Sequence, residues 1–143
     1  MNSQLSFLRG VMHQARILIV EDEAITAFDL ETMLAHKGFL ITGVAASGEE
    51  AIRLARETSP DVILMDIHLK GAMNGAQAAV TIETQNDPKP AILFLSAFSI
   101  SNFPDVKEAG RFLPKPVNAD ELTNMIEGML EEGPPSPPVD SSP

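Results

Sequence analysis

The sequence predicts an α/β domain built on a doubly wound parallel sheet, because two patterns alternate along the chain. The first is a series of short apolar runs, of which 17–20, 62–65 and 91–95 are typical of buried strands, whereas the alternation and glycine of 41–45 predict a less buried edge strand. The second is a series of intervening segments whose apolar residues recur at helical spacing. Such alternation predicts parallel strands joined by right-handed crossovers, with helices on both faces of the sheet. The predicted strands are residues 17–20, 41–45, 62–65, 91–95 and 112–113.

Five helices are expected to follow these strands. Gly38 is placed as the left-handed cap that ends the first helix, and Ser47 with Glu50 has the spacing of a capping box at the start of the second. Asn118 and Glu121 have the same spacing before the last helix. The helices are expected over residues 24–37, 47–57, 76–84, a short stretch within 98–110, and an amphipathic segment after residue 118.

Length and composition indicate one folded domain with tails. The chain has 143 residues, which we divide into an N-terminal extension (1–15), a domain (16–132) and a disordered tail rich in proline and serine (133–143). A formal net charge of −10 argues against nonspecific binding to nucleic acid or anionic membranes. The absence of cysteine excludes disulfides and thiolate chemistry. No apolar run approaches transmembrane length, so we expect a cytoplasmic protein.

Chemically active side chains follow four of the predicted strands. Glu21 and Asp22 come after the first strand, Asp66 after the third, Ser96 after the fourth and Lys115 after the fifth. Because the carboxyl ends of parallel strands lie along one edge of a sheet, these side chains are expected to converge there. Each residue alone has an ordinary explanation, such as an acidic first helical turn or a surface lysine. If all of these ordinary explanations held at once, the four strand ends would carry such residues by chance. We therefore interpret the residues as one site.

Clustered carboxylates repel one another unless a cation is present, and with only oxygen ligands available Mg²⁺ is the fitting ion. A magnesium ion, a lysine and a hydroxyl can together bind a phosphoryl group. An ionised carboxylate facing that group can attack phosphorus and form an acyl phosphate. The sequence therefore indicates a phosphoryl-transfer site centred on Asp66.

In these motifs the chain resembles the receiver domain of bacterial two-component response regulators, over roughly residues 16–130. The resemblance implies a flavodoxin-like fold with strand order 2-1-3-4-5, and a phosphoryl group received on Asp66 from a histidine kinase or a histidine phosphotransfer protein. It also implies Mg²⁺ bound by Asp22 and Asp66, with Glu21 acting mainly through water and the backbone carbonyl of His68 as a further ligand.

The resemblance also assigns roles to residues after the fourth and fifth strands. Ser96 would hydrogen-bond the phosphoryl group, and Lys115 would pair with it and precede a cis bond to Pro116. Phe112 stands at the position of the switch aromatic, which turns inward when Ser96 is drawn toward the phosphate. Ser96 and Phe112 together are therefore the expected switch.

Some features depart from the family pattern. The loop between Asp66 and Gly75 is one residue longer than usual and lacks the usual proline, the 98–110 segment is short, and Phe112 has no hydroxyl. We hypothesise that Phe98 shields the phosphoryl group from water and lengthens its lifetime; alternatively, Phe98 packs away from the site. His68 is interpreted as a residue at the rim of the cleft, although a metal-ligand or phosphodonor role is conceivable.

The expected function is that of a stand-alone receiver that signals through protein contacts, with no direct DNA binding and no membrane association. We expect no enzymatic turnover of a separate substrate. A phosphorelay shuttle or phosphate sink is an alternative within the same class. An aspartyl-phosphate phosphatase of the haloacid dehalogenase type is an alternative from another class, but His68 occupies the place of its second acid. A flavin- or nucleotide-binding module would need a glycine- or serine-rich phosphate loop after the first strand. The acids at residues 21–23 stand there instead and would repel phosphates without a metal, so we discount this alternative.

Overall fold

Among the residues that the structure describes, the parallel sheet has five strands, as the sequence predicts, and its order is β2-β1-β3-β4-β5 with every neighbouring pair parallel. The computed structural model describes residues 14–97 and 111–132. The strands are β1 (Arg16–Val20), β2 (Leu40–Ala45), β3 (Val62–Asp66), β4 (Ala91–Ser96) and β5 (Phe112–Pro114). The doubly wound fold and the strand order 2-1-3-4-5 are therefore confirmed.

Four helices lie within the described residues: α1 (Ala24–His36), α2 (Gly48–Thr58), α3 (Gly75–Gln85) and α4 (Ala119–Glu132). The helix expected within 98–110, the N-terminal residues 1–13 and the tail from 133 lie outside the described part of the chain. None of the four helices is long and apolar enough to cross a bilayer.

The core has two layers because successive side chains of a strand point to opposite faces of the sheet. Ile63 and Met65 of β3 pack in one cluster with alanines of α2 and with Ile82 of α3. Val62 and Leu64 of the same strand pack in the other cluster, which contains Leu30 and Leu34 of α1 and Leu122, Ile126 and Met129 of α4. The strand that carries Asp66 is thus buried on both faces, as its continuous apolar run predicts.

The helix ends follow the predicted capping chemistry with one correction. Gly38 has a φ of +93° just after α1, and Asn118 Oδ1 accepts the backbone N–H groups of Asp120 and Glu121. Ser47 Oγ accepts the N–H of Glu50, but Glu50 Oε1 accepts from Ala46 instead of Ser47, so the predicted box closes one residue earlier.

Helix α3 begins with a capping box that the sequence reading missed. Asn74 Oδ1 accepts the N–H of Gln77, and Gln77 Oε1 accepts the N–H of Asn74, both at 2.9 Å. This arrangement places the first residue of α3 at Gly75, one residue earlier than expected.

Strand β2 forms an edge of the sheet, as its alternating pattern predicts. Its register with β1 slips at Thr42, because Ile41 faces Ile17 and Gly43 faces Leu18. The bulged Thr42 donates its hydroxyl to the Ile17 carbonyl at 3.4 Å. Leu40 and Val44 are more than one-third exposed.

Gly75 is the point where α3 touches the backbone that carries Asp66. Its N–H donates to the Ile67 carbonyl at 2.9 Å. A Cβ at this position would lie 2.1 Å from the backbone oxygen of Asp66. Because no side chain tolerates such a distance to backbone, this close approach requires glycine.

We expect Gly75→Ala to lower the free energy of unfolding by at least about 2 kcal/mol, since α3 or the end of β3 must move to admit a methyl group. Gly128→Ala is the matched control, because a Cβ there meets no atom within 4 Å. In the middle of α4 that change should raise stability by about 1 kcal/mol. Urea unfolding followed by circular dichroism measures both, and equal stability of Gly75→Ala and wild type would contradict the argument.

Candidate functional site

The carboxyl ends of β1 and β3 bring three acids together. Strand pairing sets Val20 beside Met65, so Glu21 and Asp22 follow β1 at the level where β3 ends in Asp66. Each acid contributes one carboxylate oxygen to a group whose members all lie within 4.8 Å of one another. Glu21 and Asp66 are buried, whereas Asp22 is half-buried.

Lys115, which follows β5, reaches two of these acids. Its Nζ lies 2.5 Å from Glu21 Oε1 and 3.4 Å from Asp66 Oδ2. The Glu21 side chain is 1% exposed and that of Lys115 is 16% exposed, so this ion pair is shielded from water. The backbone N–H of Lys115 donates to the Ser96 carbonyl at 2.9 Å, which fixes the start of the lysine against β4.

The electrostatics of the pair keep the lysine charged. Burial, helped by the nearby charge of Asp66, raises the pKa of the Glu21 carboxyl above its usual value, although Lys115 and the Glu23 N–H act in the opposite direction. Burial also opposes the charge of Lys115. However, its hydrogen bond to Glu21 and the negative charges of Asp66 and Glu21 prevail, so the pKa of Lys115 is raised as well. A bound cation would add positive charge and favour the ionised form of Glu21.

Backbone N–H groups orient all three carboxylates. Glu21 Oε2 accepts from Glu23 at 3.1 Å, and Asp66 Oδ1 accepts from His68 at 3.0 Å, each two residues further along the chain. Asp22 Oδ2 accepts from Lys70, in the loop after β3, at 3.0 Å. The acids are therefore fixed by the turns around them.

These residues fit Mg²⁺, which prefers oxygen ligands and retains several of its waters. Asp22 and Asp66 each have one carboxylate oxygen engaged by a backbone N–H, and the other oxygen of Asp66 makes a longer, 3.4 Å contact with Lys115 Nζ. Glu21 has its oxygens engaged by Lys115 and by the Glu23 N–H, which suits a contact to the ion through water. Asp22 and Asp66 would thus hold the ion, and its charge would relieve the repulsion among the acids.

The remaining predicted site residues lie around this group. Ser96 is fully buried at the end of β4, opposite Pro114 of β5. The side chain of His68 is exposed, and the Lys115–Pro116 bond is cis. Phe112 is half-buried against the cluster under α2 and α3. Phe98 lies outside the described residues, so its proposed shielding role stays a prediction.

Sequence reasoning missed the residues that act through their backbone. Lys70 supplies an N–H to Asp22, and Gly75 lies against the carbonyl of Asp66. A backbone donor leaves no side-chain signature, so nothing in the sequence marks Lys70. In the sequence, Gly75 is marked only as the end of the loop that follows Asp66.

Comparison with known proteins agrees with this geometry. A family profile for the response regulator receiver domain matches residues 17–127. The transcriptional regulatory protein PdtaR of Mycobacterium tuberculosis is 36% identical over 115 residues, which make up 78% of this chain and 55% of the relative. The chain therefore spans little more than half the length of PdtaR. Protein PilH of Pseudomonas aeruginosa is 33% identical over 120 residues, covering 81% of this chain and 98% of PilH.

Solved structures extend the likeness to the fold. The signal receiver domain of a modulated diguanylate cyclase from Desulfovibrio desulfuricans is 33% identical with a TM-score of 0.75, and the match covers 83% of this chain and 95% of that one. The receiver domain of PhyR from Erythrobacter litoralis is 25% identical with a TM-score of 0.79, and the match covers 90% and 99% respectively. On the profile match and these relatives, the chain belongs to the response regulator receiver domain family.

Proposed function

We propose that this receiver domain accepts a phosphoryl group on Asp66 from the phosphohistidine of a histidine kinase or a histidine phosphotransfer protein, in a reaction that requires Mg²⁺. The observation that carries the proposal is the position of the Asp66 carboxylate. It lies among two other acids and 3.4 Å from the Lys115 ammonium, at the end of a central strand. This combination suits an oxygen nucleophile that must approach a negatively charged phosphorus centre.

Each side chain has a defined task in the proposed transfer. An oxygen of Asp66 forms a bond to phosphorus while the phosphorus–nitrogen bond of the donor breaks, and the electron pair of that bond passes to the donor imidazole. The backbone N–H of His68 donates to Asp66 Oδ1 and so restricts rotation of the carboxylate. Lys115 neutralises the incoming phosphoryl oxygens, and bound Mg²⁺ supplies further positive charge there.

Phosphorylation of Asp66 is proposed to change the surface that other proteins contact, through movement of Ser96 and Phe112. The Ser96 hydroxyl would donate to a phosphoryl oxygen, and movement of Ser96 would leave room for Phe112 to turn inward. Supporting this, Ser96 is fully buried beside β5, and Phe112 is half-buried two residues before Pro114, which faces Ser96. Phe112 changes position by packing alone, because it has no hydroxyl to donate.

A shuttle or sink role remains an alternative within this function. Such a protein passes the phosphoryl group on to a histidine phosphotransfer protein, and back-transfer from the phosphorylated chain would distinguish it. We propose no turnover of a separate substrate, because His68 stands where a haloacid dehalogenase-type phosphatase has its second acid.

Incubation with acetyl phosphate and Mg²⁺ should add one phosphoryl group to the wild-type chain and none to Asp66→Asn, since the amide is not a nucleophile. Chelation of Mg²⁺ should abolish labelling of the wild type. Intact-mass spectrometry measures the gain, and Asp29→Asn, on the exposed face of α1, should label normally. Labelling of Asp66→Asn, or sustained hydrolysis of a small phosphomonoester by the wild type, would contradict the proposal.

The phosphodonor protein is proposed to contact α1. Ile25 and Phe28 are 81% and 66% exposed, and they lie on the first turns of the helix that directly follows the acids. A protein that delivers a phosphohistidine to Asp66 must cover the surface around it, and exposed apolar side chains there favour such a contact.

We expect Phe28→Asp to slow phosphoryl transfer from a cognate phosphodonor protein roughly tenfold, the effect of losing one central apolar contact. Labelling by acetyl phosphate, which needs no protein contact, should be unchanged. Val80→Asp is the matched control, because Val80 is 59% exposed on α3, in the opposite layer. Equal transfer rates for the two variants would refute the contact with α1.

Removal of the lysine should destabilise the metal-free protein. Lys115→Met is expected to lower the free energy of unfolding by about 3 kcal/mol, because the buried carboxylate of Glu21 loses its charged partner. The double variant Glu21→Gln/Lys115→Met should recover part of that loss. Urea unfolding in the presence of a chelator measures both.

Lys37→Met is the control for the lysine substitution, since it removes an ion pair to the exposed Asp120. Its expected cost is below about 1 kcal/mol. A Lys115→Met variant no less stable than Lys37→Met would show that Glu21 does not depend on the lysine.

A further inference from the structure

The loop after β3 makes a contact with the acid group that the phosphoryl-transfer chemistry does not itself require. The backbone N–H of Lys70 donates to Asp22 Oδ2 at 3.0 Å, joining two segments that are 48 residues apart in sequence. A proline at position 70 would have no N–H to donate.

The structure on either side of Lys70 holds this N–H in place. Leu69, immediately before it, is 7% exposed and packs in the core cluster under α2 and α3. Gly71, immediately after it, has a φ of +105°, a conformation that glycine adopts without strain. The donor thus lies between a buried anchor and a tight turn, so its direction is set by the loop.

Asp22, which accepts this hydrogen bond, is the most exposed of the three acids, and its N–H donor lies outside its own turn. Asp22 is the only half-buried member of the three-acid group in the described residues, whereas Glu21 and Asp66 are buried and are held by N–H groups two residues away in their own turns. The terminal torsion of an aspartate has broad minima, so an unrestrained carboxylate samples several orientations. The hydrogen bond from Lys70 fixes Asp22 Oδ2. Because the carboxylate is planar, this also fixes the direction of Asp22 Oδ1.

We propose that the Lys70 amide is a positioning group for Mg²⁺ binding, which presets the Asp22 carboxylate and couples the conformation of the β3–α3 loop to occupancy by the ion. The inference rests on the proposed Mg²⁺-dependent function. Hydrogen bonds to metal-binding carboxylates orient them and commonly contribute tenfold or more to affinity. Because such coupling is reciprocal, bound ion also holds the loop in its bonded conformation.

The test compares Lys70→Pro with Lys70→Ala in calorimetric titrations of the unphosphorylated full chain with MgCl₂. Both variants lack the ammonium group, but only the proline lacks the N–H. We expect Lys70→Pro to raise the Kd for Mg²⁺ roughly tenfold relative to Lys70→Ala. Lys70→Ala itself should remain close to the wild type.

A second measurement on the wild type does not depend on the folding of a variant. Amide hydrogen exchange at Lys70 should be slower in the presence of saturating Mg²⁺, because the ion stabilises the bonded loop. An exchange rate independent of Mg²⁺ overturns the inference. So do equal Kd values for the proline and alanine variants, including the case in which both bind weakly and the ammonium is responsible.

The outcomes separate this inference from the proposed function. Failure of the wild type to bind Mg²⁺ contradicts the proposed function and the inference together. Binding by the wild type with no difference between Lys70→Pro and Lys70→Ala contradicts the positioning role of the amide alone.

Discussion

The ion pair between Glu21 and Lys115 is the interaction on which the arrangement of this molecule depends. It joins the end of β1 to the residue after β5. Lys115 Nζ lies 2.5 Å from Glu21 Oε1 and also contacts Asp66 Oδ2 at 3.4 Å. A carboxylate that is 1% exposed is costly without such a partner. Because β5 has only three residues, the lysine and its backbone bond to Ser96 do much to hold that edge of the sheet against β4.

The acid group is built largely from backbone. Three N–H groups, from Glu23, His68 and Lys70, fix the three carboxylates, and the chain at Asp66 and Ile67 is in turn held by the start of α3 through Gly75. Loops, strand ends and a helix terminus therefore share one small volume. We therefore expect a substitution that displaces one of these backbone groups to alter the orientation of an acid, even when every acidic side chain is unchanged.

The fold and the identity of the clustered side chains could be predicted from the sequence because both follow from periodicity. Continuous apolar runs such as 62–65 mark strands buried on both faces, and parallel strands must end at one edge. The box at Asn74 and Gln77 has the local spacing of a capping box and was open to prediction. The bond from the Ala46 N–H to Glu50 and the bond from the Lys70 N–H to Asp22 could not be predicted. These depend on where a loop backbone points in space, which no local pattern encodes. The roles of Phe98 and of residues 98–110 remain predictions from sequence.

The bulge in β2 has a consequence for how the protein behaves at high concentration. The sequence of this edge strand, LITGVA, has neither a charge nor a proline to prevent another chain from adding to it. The irregular register at Thr42 interrupts the flat hydrogen-bonding edge that such addition needs. The bulge and the formal net charge of −10 are therefore both features that disfavour edge-to-edge aggregation. We expect deletion of this one extra residue to leave β2 a flatter edge, to which a second chain could add more readily.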